Sequence, residues 1–477
     1  MKPINKQNYD TITASLADNT TQHSFLDQLK LKFIYGAIGD GLNHPLSSKY
    51  ATLALAQAKY PCAVALTDEI DHCALQTAIT NEDDVFIPKG TFIHTSLVLK
   101  LNSKLTGNYD NSILQNNSNT SSIIIGNVED ILISNIFLKG NITMPNQDAI
   151  EFIGLNPACC IIDRCAIEYF GRHGIHGGHL GHVNNVEIKG CFIRGCVGDG
   201  INMQYGYNAH VTQINAIWIH HNDIVYCNNG ILFFGNNVIV EKNTIQANLN
   251  YGVSVSEDLL DTLKSCYSSS INNNYFELNA SAVASNASVI GIFTGVDGTT
   301  TTNKYLYGLD ISNNYFAESG SKYSSIIYCK DLKNSNGSNC ILMTKNNYTS
   351  INFITLNKDS ALSPGSIIDE TAYVNELPSY VQIRGKGMLL FTIPASTVYT
   401  TKILPCDCIL SLSNITGGSN NLISLGTWGG VNGIILGTAS IIKDTANKIN
   451  IYFEGGFLKI QNNTASSNSF TYKLIFN

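Results

Sequence analysis

A chain of 477 residues that is 44% hydrophobic and only 14% charged has the apolar content for a large core, which excludes a disordered protein. A formal charge of -7 leaves no basic stripe for nucleic acid. No apolar run reaches the roughly eighteen residues that a membrane-spanning helix needs. Polar bulk comes from Asn, Ser and Thr with 39 glycines, a mixture that suits short strands joined by tight turns. The 13 cysteines lack zinc-type spacing, and their odd number fits a reducing compartment better than a disulfide framework. Cys159, Cys160, Cys165, Cys191, Cys196 and Cys227 fall within or beside apolar strand patterns, where a thiol packs as a small hydrophobe.

In chain order, residues 1–32 are polar, and Met1-Lys2-Pro3-Ile4-Asn5-Lys6-Gln7 has no apolar signal-peptide core. The expectation is synthesis in the cytoplasm without a cleaved leader. Residues 47–80 hold the best helical patterns. Thr67-Asp68-Glu69 supplies an N-cap and first-turn acids ahead of an apolar face of Ile70, Cys73, Ala74 and Ile79. Residues 33–84 are thus a helical cap, and Val85 to Phe92 reads as strand and turn.

A short unit then recurs: an apolar residue, two polar ones, Asn or Cys, one more residue, and an apolar one. Copies run Ile162 to Ile167, Ile188 to Ile193, Ile219 to Ile224, Val240 to Ile245, Ile271 to Phe276, Ile311 to Phe316 and Met343 to Tyr348, at steps of 21 to 40 residues. A second strand follows several copies with a Gly-Ile or Gly-Val core, at Gly174-Ile175, Gly200-Ile201, Gly230-Ile231 and Gly252-Val253, with Ala149-Ile150 before them. Two strand patterns marching in step describe the coils of a solenoid. The fold class is all-β, a right-handed parallel β-helix over residues 85–365. Asn222, Asn243, Asn274, Asn314 and Asn346 are expected to stack as a ladder at one corner. From 366 to 477 the texture changes to alternating strands separated by Gly-rich turns, the pattern of a small β-sandwich.

The densest chemistry lies between Asp148 and Tyr207. One column stacks Asp148, His173 and Asp199 on three successive coils, and an outward column stacks Glu151, His176 and Asn202. Asp148 and Asp199 would lie about 10 Å apart at the backbone. Leaning side chains would bring them into the roughly 6.5–9.5 Å range of inverting glycosidases. These five, Asp148, Glu151, His173, His176 and Asp199, are the candidate catalytic residues. For Asp199-Gly200 a turn-forming pair is the plainer alternative, and for Glu151 a solvated face. The stretch Arg172 to His179, with His182, reads as a metal site, a sugar-facing patch of imidazoles, or loop filling. Residues three apart on a strand face opposite sides, which weighs against metal, and no metal or cofactor is expected. Tyr169, Arg172, Asn202, Tyr205, Tyr207, Glu257 and Asp258 are the candidate substrate-binding residues, the tyrosines because aromatic faces stack on sugar rings.

Tyr35-Gly36-Ala37-Ile38-Gly39-Asp40-Gly41, then a helix, then Ile87-Pro88-Lys89-Gly90-Thr91, resembles the opening motif of the pectate-lyase-like superfamily. His44-Pro45-Leu46-Ser47 with Leu66 to Asp71 is similar to phage and prophage tailspikes within it. The resemblance covers residues 33–95 and, through the repeat, extends to about residue 360. It implies a homotrimer in the virion tail that acts on bacterial capsular or O-antigen polysaccharide at the cell surface. Residues 1–32 would be an attachment peptide docking to another tail protein, or a disordered arm, and 366–477 a trimer-holding or sugar-binding module. Such folds host hydrolases, lyases and plain binders alike. Hydrolysis by paired carboxylates is the reading favoured. β-Elimination, with a histidine or tyrosine as base and Arg172 or Arg194 as neutraliser, and a non-enzymatic receptor-binding fibre are the alternatives.

Overall fold

The computed structural model describes residues 30–317 apart from 155–156, 178–181, 205–213, 257–264, 281–287 and 294–304, and beyond these the strands between Ile327 and Phe476 and residue Asn346. Among the described residues no helix is long and apolar enough to cross a membrane. The chain divides into two compact units, residues 1–232 and 233–477.

In the first unit, the helix Ile70–Asn81 buries Ile70, Cys73, Ala74, Leu75, Ala78 and Ile79. Its start differs from the expected cap. Glu69 holds the N-cap position without a side-chain cap bond, because its carboxylate accepts the His44 N–H at 2.7 Å. Asp68 instead closes the preceding turn, accepting from Val64 and Ala65. Buried Asp71 accepts the Ile38 and Gly39 N–H groups and ties the opening motif to the helix. Gly39 adopts φ +71°, and a Cβ there would lie 2.6 Å from the Phe92 ring. Only glycine fits at that point.

The coils that follow are parallel throughout. Strands Glu129–Lys139, Ala158–Asp163, Val183–Lys189 and Ile214–His220 stack with Ile133, Ile162, Ile188 and Ile219 in one column. The Ile167, Ile193 and Ile224 column stacks beside it. Leu97–Leu99, Ile123–Ile125, Ile150–Phe152, Ile175–Gly177 and Ile201–Gln204 form a third parallel column. Its first two strands lack the Gly-Ile signature by which the others were read. The isoleucine columns are fully buried, and each such side chain contributes about 1.5–3 kcal/mol. At the corner Cys165 N–H points to the Cys191 sulfur, and Cys191 N–H to the Asn222 amide oxygen at 2.9 Å. Cysteine and asparagine therefore occupy the same ladder position. Cys159 departs from expectation: it is exposed, at φ +53°, while the other five cysteines singled out are buried.

In the second unit, Asn236–Glu241, Ser270–Asn272, Tyr305–Ser312 and Cys340–Thr344 continue as parallel strands in the register that the repeat predicts. The asparagine ladder is present. Asn243 donates to Asn274, Asn274 to Asn314 and Asn314 to Asn346, each amide pair at 3.0 Å. A second ladder, Asn248 to Asn279 at 2.9 Å, escaped the sequence reading. Phe276 and Phe316 stack with centroids 4.9 Å apart. Parallel pairing runs through Thr371–Val374 to Met388–Ile393, past residue 366. That last strand then pairs antiparallel with Asn468–Phe476, which opens a C-terminal region of antiparallel strands in two sheets. Cys408–Asn414, Asn420–Leu425 and Val431–Leu436 extend its larger sheet. Thr397–Thr400, Ile449–Glu454 and Phe457–Asn462 form the smaller.

Asn274→Ala removes the acceptor of the buried Asn243 N–H and side-chain amide. The expected cost is about 2–3 kcal/mol, read as a lower urea midpoint, because a buried donor left unpaired loses its solvation as well.

Candidate functional site

Three short strands build the site. Ile150, Ile175 and Ile201 align and point inward, so Glu151, His176 and Asn202 align on the other face. The preceding corner carries the second column: Ala149 N–H bonds to the His173 carbonyl, Gly174 N–H to that of Asp199, and Gly200 N–H to that of Asn229. A Cβ on Gly174 would lie 2.4 Å from the Gly200 oxygen, which is why this corner demands glycine.

Arg172 joins the two columns. Its Nε donates to Asp148 Oδ1 at 2.8 Å, and its Nη2 donates both to Asp148 Oδ2 and, at 2.9 Å, to Glu151 Oε1. Asp148 is wholly buried and also accepts the His173 N–H at 2.8 Å and faces His176 Nδ1 at 3.0 Å. Burial opposes ionisation of Asp148, but the hydrogen bonds and charges of His176 and Arg172 outweigh it and hold the carboxyl well below the usual carboxylate range. An ionised Asp148 places a His176 proton on Nδ1. The side chain of Glu151 retains 13% exposure, and Ser121 donates to its Oε2. His173 lies 4.7 Å from His176, ring to ring, and its Nδ1 accepts the Asp199 N–H at 2.9 Å.

Asp199 follows a different logic. Its Oδ1 accepts the Asn229 amide at 2.7 Å and its Oδ2 the Asn202 amide at 2.8 Å. Burial raises its carboxyl above the ordinary value, against the pull of those amides. Among the described residues Asn202 Oδ1 is buried without a hydrogen-bond partner.

The structure thus brings together Asp148, Glu151, Arg172, His173, His176, Asp199 and Asn202. Asp148 and Asp199 take different partners. Each buried carboxylate turns to its nearest donors, Asp148 to Arg172 and His176, Asp199 to asparagine amides. Tyr169 lies on the turn before Arg172, and its ring faces Arg194 rather than the carboxylates. Tyr205, Tyr207, Glu257 and Asp258 lie outside the described residues, as do residues 1–29. Ser121 was missed. Thr120-Ser121-Ser122-Ile123 opens the coil before Asp148, and extending the repeat by one turn would have found it.

Ligand atoms of Asp148, His173 and His176 lie within 4.8 Å of one another, close enough for a divalent ion. Their chemistry fits one poorly. Arg172 already places its positive charge on both Asp148 oxygens, and the His173 Nδ1 lone pair receives the Asp199 N–H.

No family model matches the sequence, and no curated protein matches it. Solved structures with a similar chain path include the Pseudomonas phage phi297 tailspike gp61, at TM-score 0.37 and 13% identity, covering 94% of this chain and 98% of that one. The Streptococcus pneumoniae surface protein and adhesin PfbA aligns at TM-score 0.43 and 13% identity, over 68% of this chain and 93% of that one. The tailspike gp49 of Acinetobacter baumannii bacteriophage Fri1, a capsular polysaccharide depolymerase, aligns at TM-score 0.31 and 9% identity, over 84% and 82%. At such scores these likenesses assign no residue and no activity.

Arg172→Gln leaves Asp148 buried beside an uncharged amide, and the expected loss of stability at neutral pH is about 3–5 kcal/mol. The lowered carboxyl of Asp148 contributes stability that is present above its unfolded value of about 4 and lost as pH falls through its folded value. The gap between wild type and variant should therefore narrow as pH falls below about 4, measured by urea unfolding across pH.

Proposed function

We propose that this protein is a phage tailspike that binds a bacterial surface polysaccharide, capsule or O-antigen, and hydrolyses it at the Glu151–His176 face. The observation that carries this reading is the charge balance at Arg172, where two carboxylates share one guanidinium. A centre with more carboxylate than cation stabilises the positive charge that grows on a sugar ring as its glycosidic bond breaks. Glu151 faces the sugar as base or nucleophile, and His176 acts as the acid. Asp148 acts through others, holding His176 and Arg172 in place.

Support for the tailspike context comes from the opening motif and the repeat. In the same reading the chain is a homotrimer in the virion tail, residues 1–32 attach it to another tail protein, and residues 366–477 hold the trimer or bind sugar.

One observation favours a second reaction. A histidine oriented by Asp148 and set beside Arg172 supplies the base and the cation that β-elimination from an acidic sugar needs. The products separate the two, because elimination leaves a carbon–carbon double bond that absorbs ultraviolet light and hydrolysis does not.

A panel of capsular and O-antigen polymers, with fragments analysed by mass, identifies the cognate one. On it, Glu151→Gln and His176→Gln are each expected to lower kcat by at least about a hundredfold while binding persists. Full activity in both variants would remove the site, and tight binding with no shortening of any polymer would make the protein a receptor-binding fibre.

A further inference from the structure

Beside the carboxylate centre lies a second cluster that the proposed reaction does not use. Strands Ala166–Glu168, Phe192–Arg194 and Asp223–Val225 stack in register, and each ends in a turn. The first turn residues are Tyr169, Gly195 and Tyr226, at φ +64°, +63° and +57°. Arg194, on the middle coil, places its guanidinium carbon 5.7 Å from the Tyr169 ring centre and 5.9 Å from that of Tyr226. Gly195 makes this arrangement possible, because a Cβ there would lie 2.9 Å from the Tyr169 ring. Tyr169 is 38% exposed and Tyr226 60%.

Among the described residues Arg194 forms no ion pair, although Glu168 is its register neighbour and every other arginine named above, as well as Arg164, has a carboxylate partner. Two aromatic faces hold the guanidinium by cation–π attraction and leave its donors for an outside acceptor. A planar fork of N–H donors matches a carboxylate or phosphate, with two parallel bonds, and exposed tyrosine faces suit the apolar face of a sugar ring. Tyr169 precedes Arg172 by three residues, so the two backbones lie within roughly 11 Å. An oligosaccharide held at one reaches towards the other.

We propose that Tyr169, Arg194 and Tyr226 form an anionic-sugar subsite, which makes the substrate an acidic polysaccharide whose charged residue docks on Arg194. The inference rests on the polysaccharide reading above and deepens it by naming the substrate class. The test uses monosaccharides, which carry no bond to cleave. Glucuronate, glucose 6-phosphate and glucose are titrated against the full chain by ligand-observed NMR. Saturable millimolar binding of at least one acid is expected, with glucose far weaker, and the comparison of the two acids tells carboxylate from phosphate. Arg194→Gln should weaken that binding at least about tenfold, and Tyr169→Ala and Tyr226→Ala several-fold. Absence of saturable acid binding, equal binding by Arg194→Gln, or equal binding of glucose would overturn the subsite. A change of oligomeric state in Arg194→Gln by ultracentrifugation would likewise overturn it, by assigning the patch to a second copy of the chain. Acid binding at Arg194 in a protein that shortens no polymer would refute the cleavage reading and leave the subsite standing.

Discussion

Parallel strands hydrogen-bonded coil upon coil hold each residue about 4.8 Å from its counterpart in the next turn of chain. Identical environments then recur along a column, and one residue type repeated down the sequence satisfies all of them. Isoleucine columns fill the interior because each pairs with its like. Corner N–H groups, which no strand partner takes, find asparagine amides or cysteine sulfurs from the following coil. A ladder of this kind is as strong as its members are complete, since each amide both receives from one coil and gives to another.

The same stacking creates the electrostatic problem that the site answers. Side chains from adjacent coils converge, so acidic groups at matching positions are forced close together in partly dry surroundings. Asp148 stays ionised because Arg172 and His176 supply charge and hydrogen bonds. Asp199 is held by the neutral amides of Asn229 and Asn202, and burial moves its carboxyl the opposite way. Two aspartates on one column, two coils apart, therefore differ in protonation tendency through their partners alone. Divergent environments of that sort are the usual source of separate acid and base roles, but both carboxylates are nearly inaccessible. Arg172, His173 and Glu151 keep more exposure, their side chains at 31%, 16% and 13% against 9% for His176, and the proposed chemistry is placed where Glu151 meets His176.

How much of this was legible follows from periodicity. The repeat gave the coil register residue by residue, from Ile162 against Ile188 to Phe276 against Phe316, because spacing and apolarity encode it directly. It failed where a coil departs from the consensus, as at Ile123, which follows Ser122, and at Ile290, where the Gly-Ile pair stands two residues late at Gly291-Ile292. Columns such as Glu151 with His176 were equally readable, since strand alternation fixes the face. Which donor a side chain reaches was not readable. Asp148 and Asp199 occupy equivalent backbone positions, and only the position of Arg172 on one coil and Asn229 on another separates them. Arg194 was hidden for a similar reason, because its pairing with Tyr169 and Tyr226 spans three coils and shows only after they are stacked.

For an acidic chain, the acidic polymer proposed as its ligand presents an apparent conflict, with a formal charge of -7 against it. Range resolves it. At physiological salt a charge is screened beyond about 8 Å, so the net charge of the molecule governs little at the scale of one sugar. What counts is the local balance. At Arg172 carboxylates prevail, which favours a developing cation. At Arg194 an unpaired guanidinium prevails, which favours an anion. A polymer with a charged residue at fixed spacing from its scissile bond would satisfy both at once, and one without that charge would leave Arg194 desolvated against sugar with nothing to receive its protons. Discrimination of that kind comes from the penalty on the wrong ligand rather than from extra affinity for the right one.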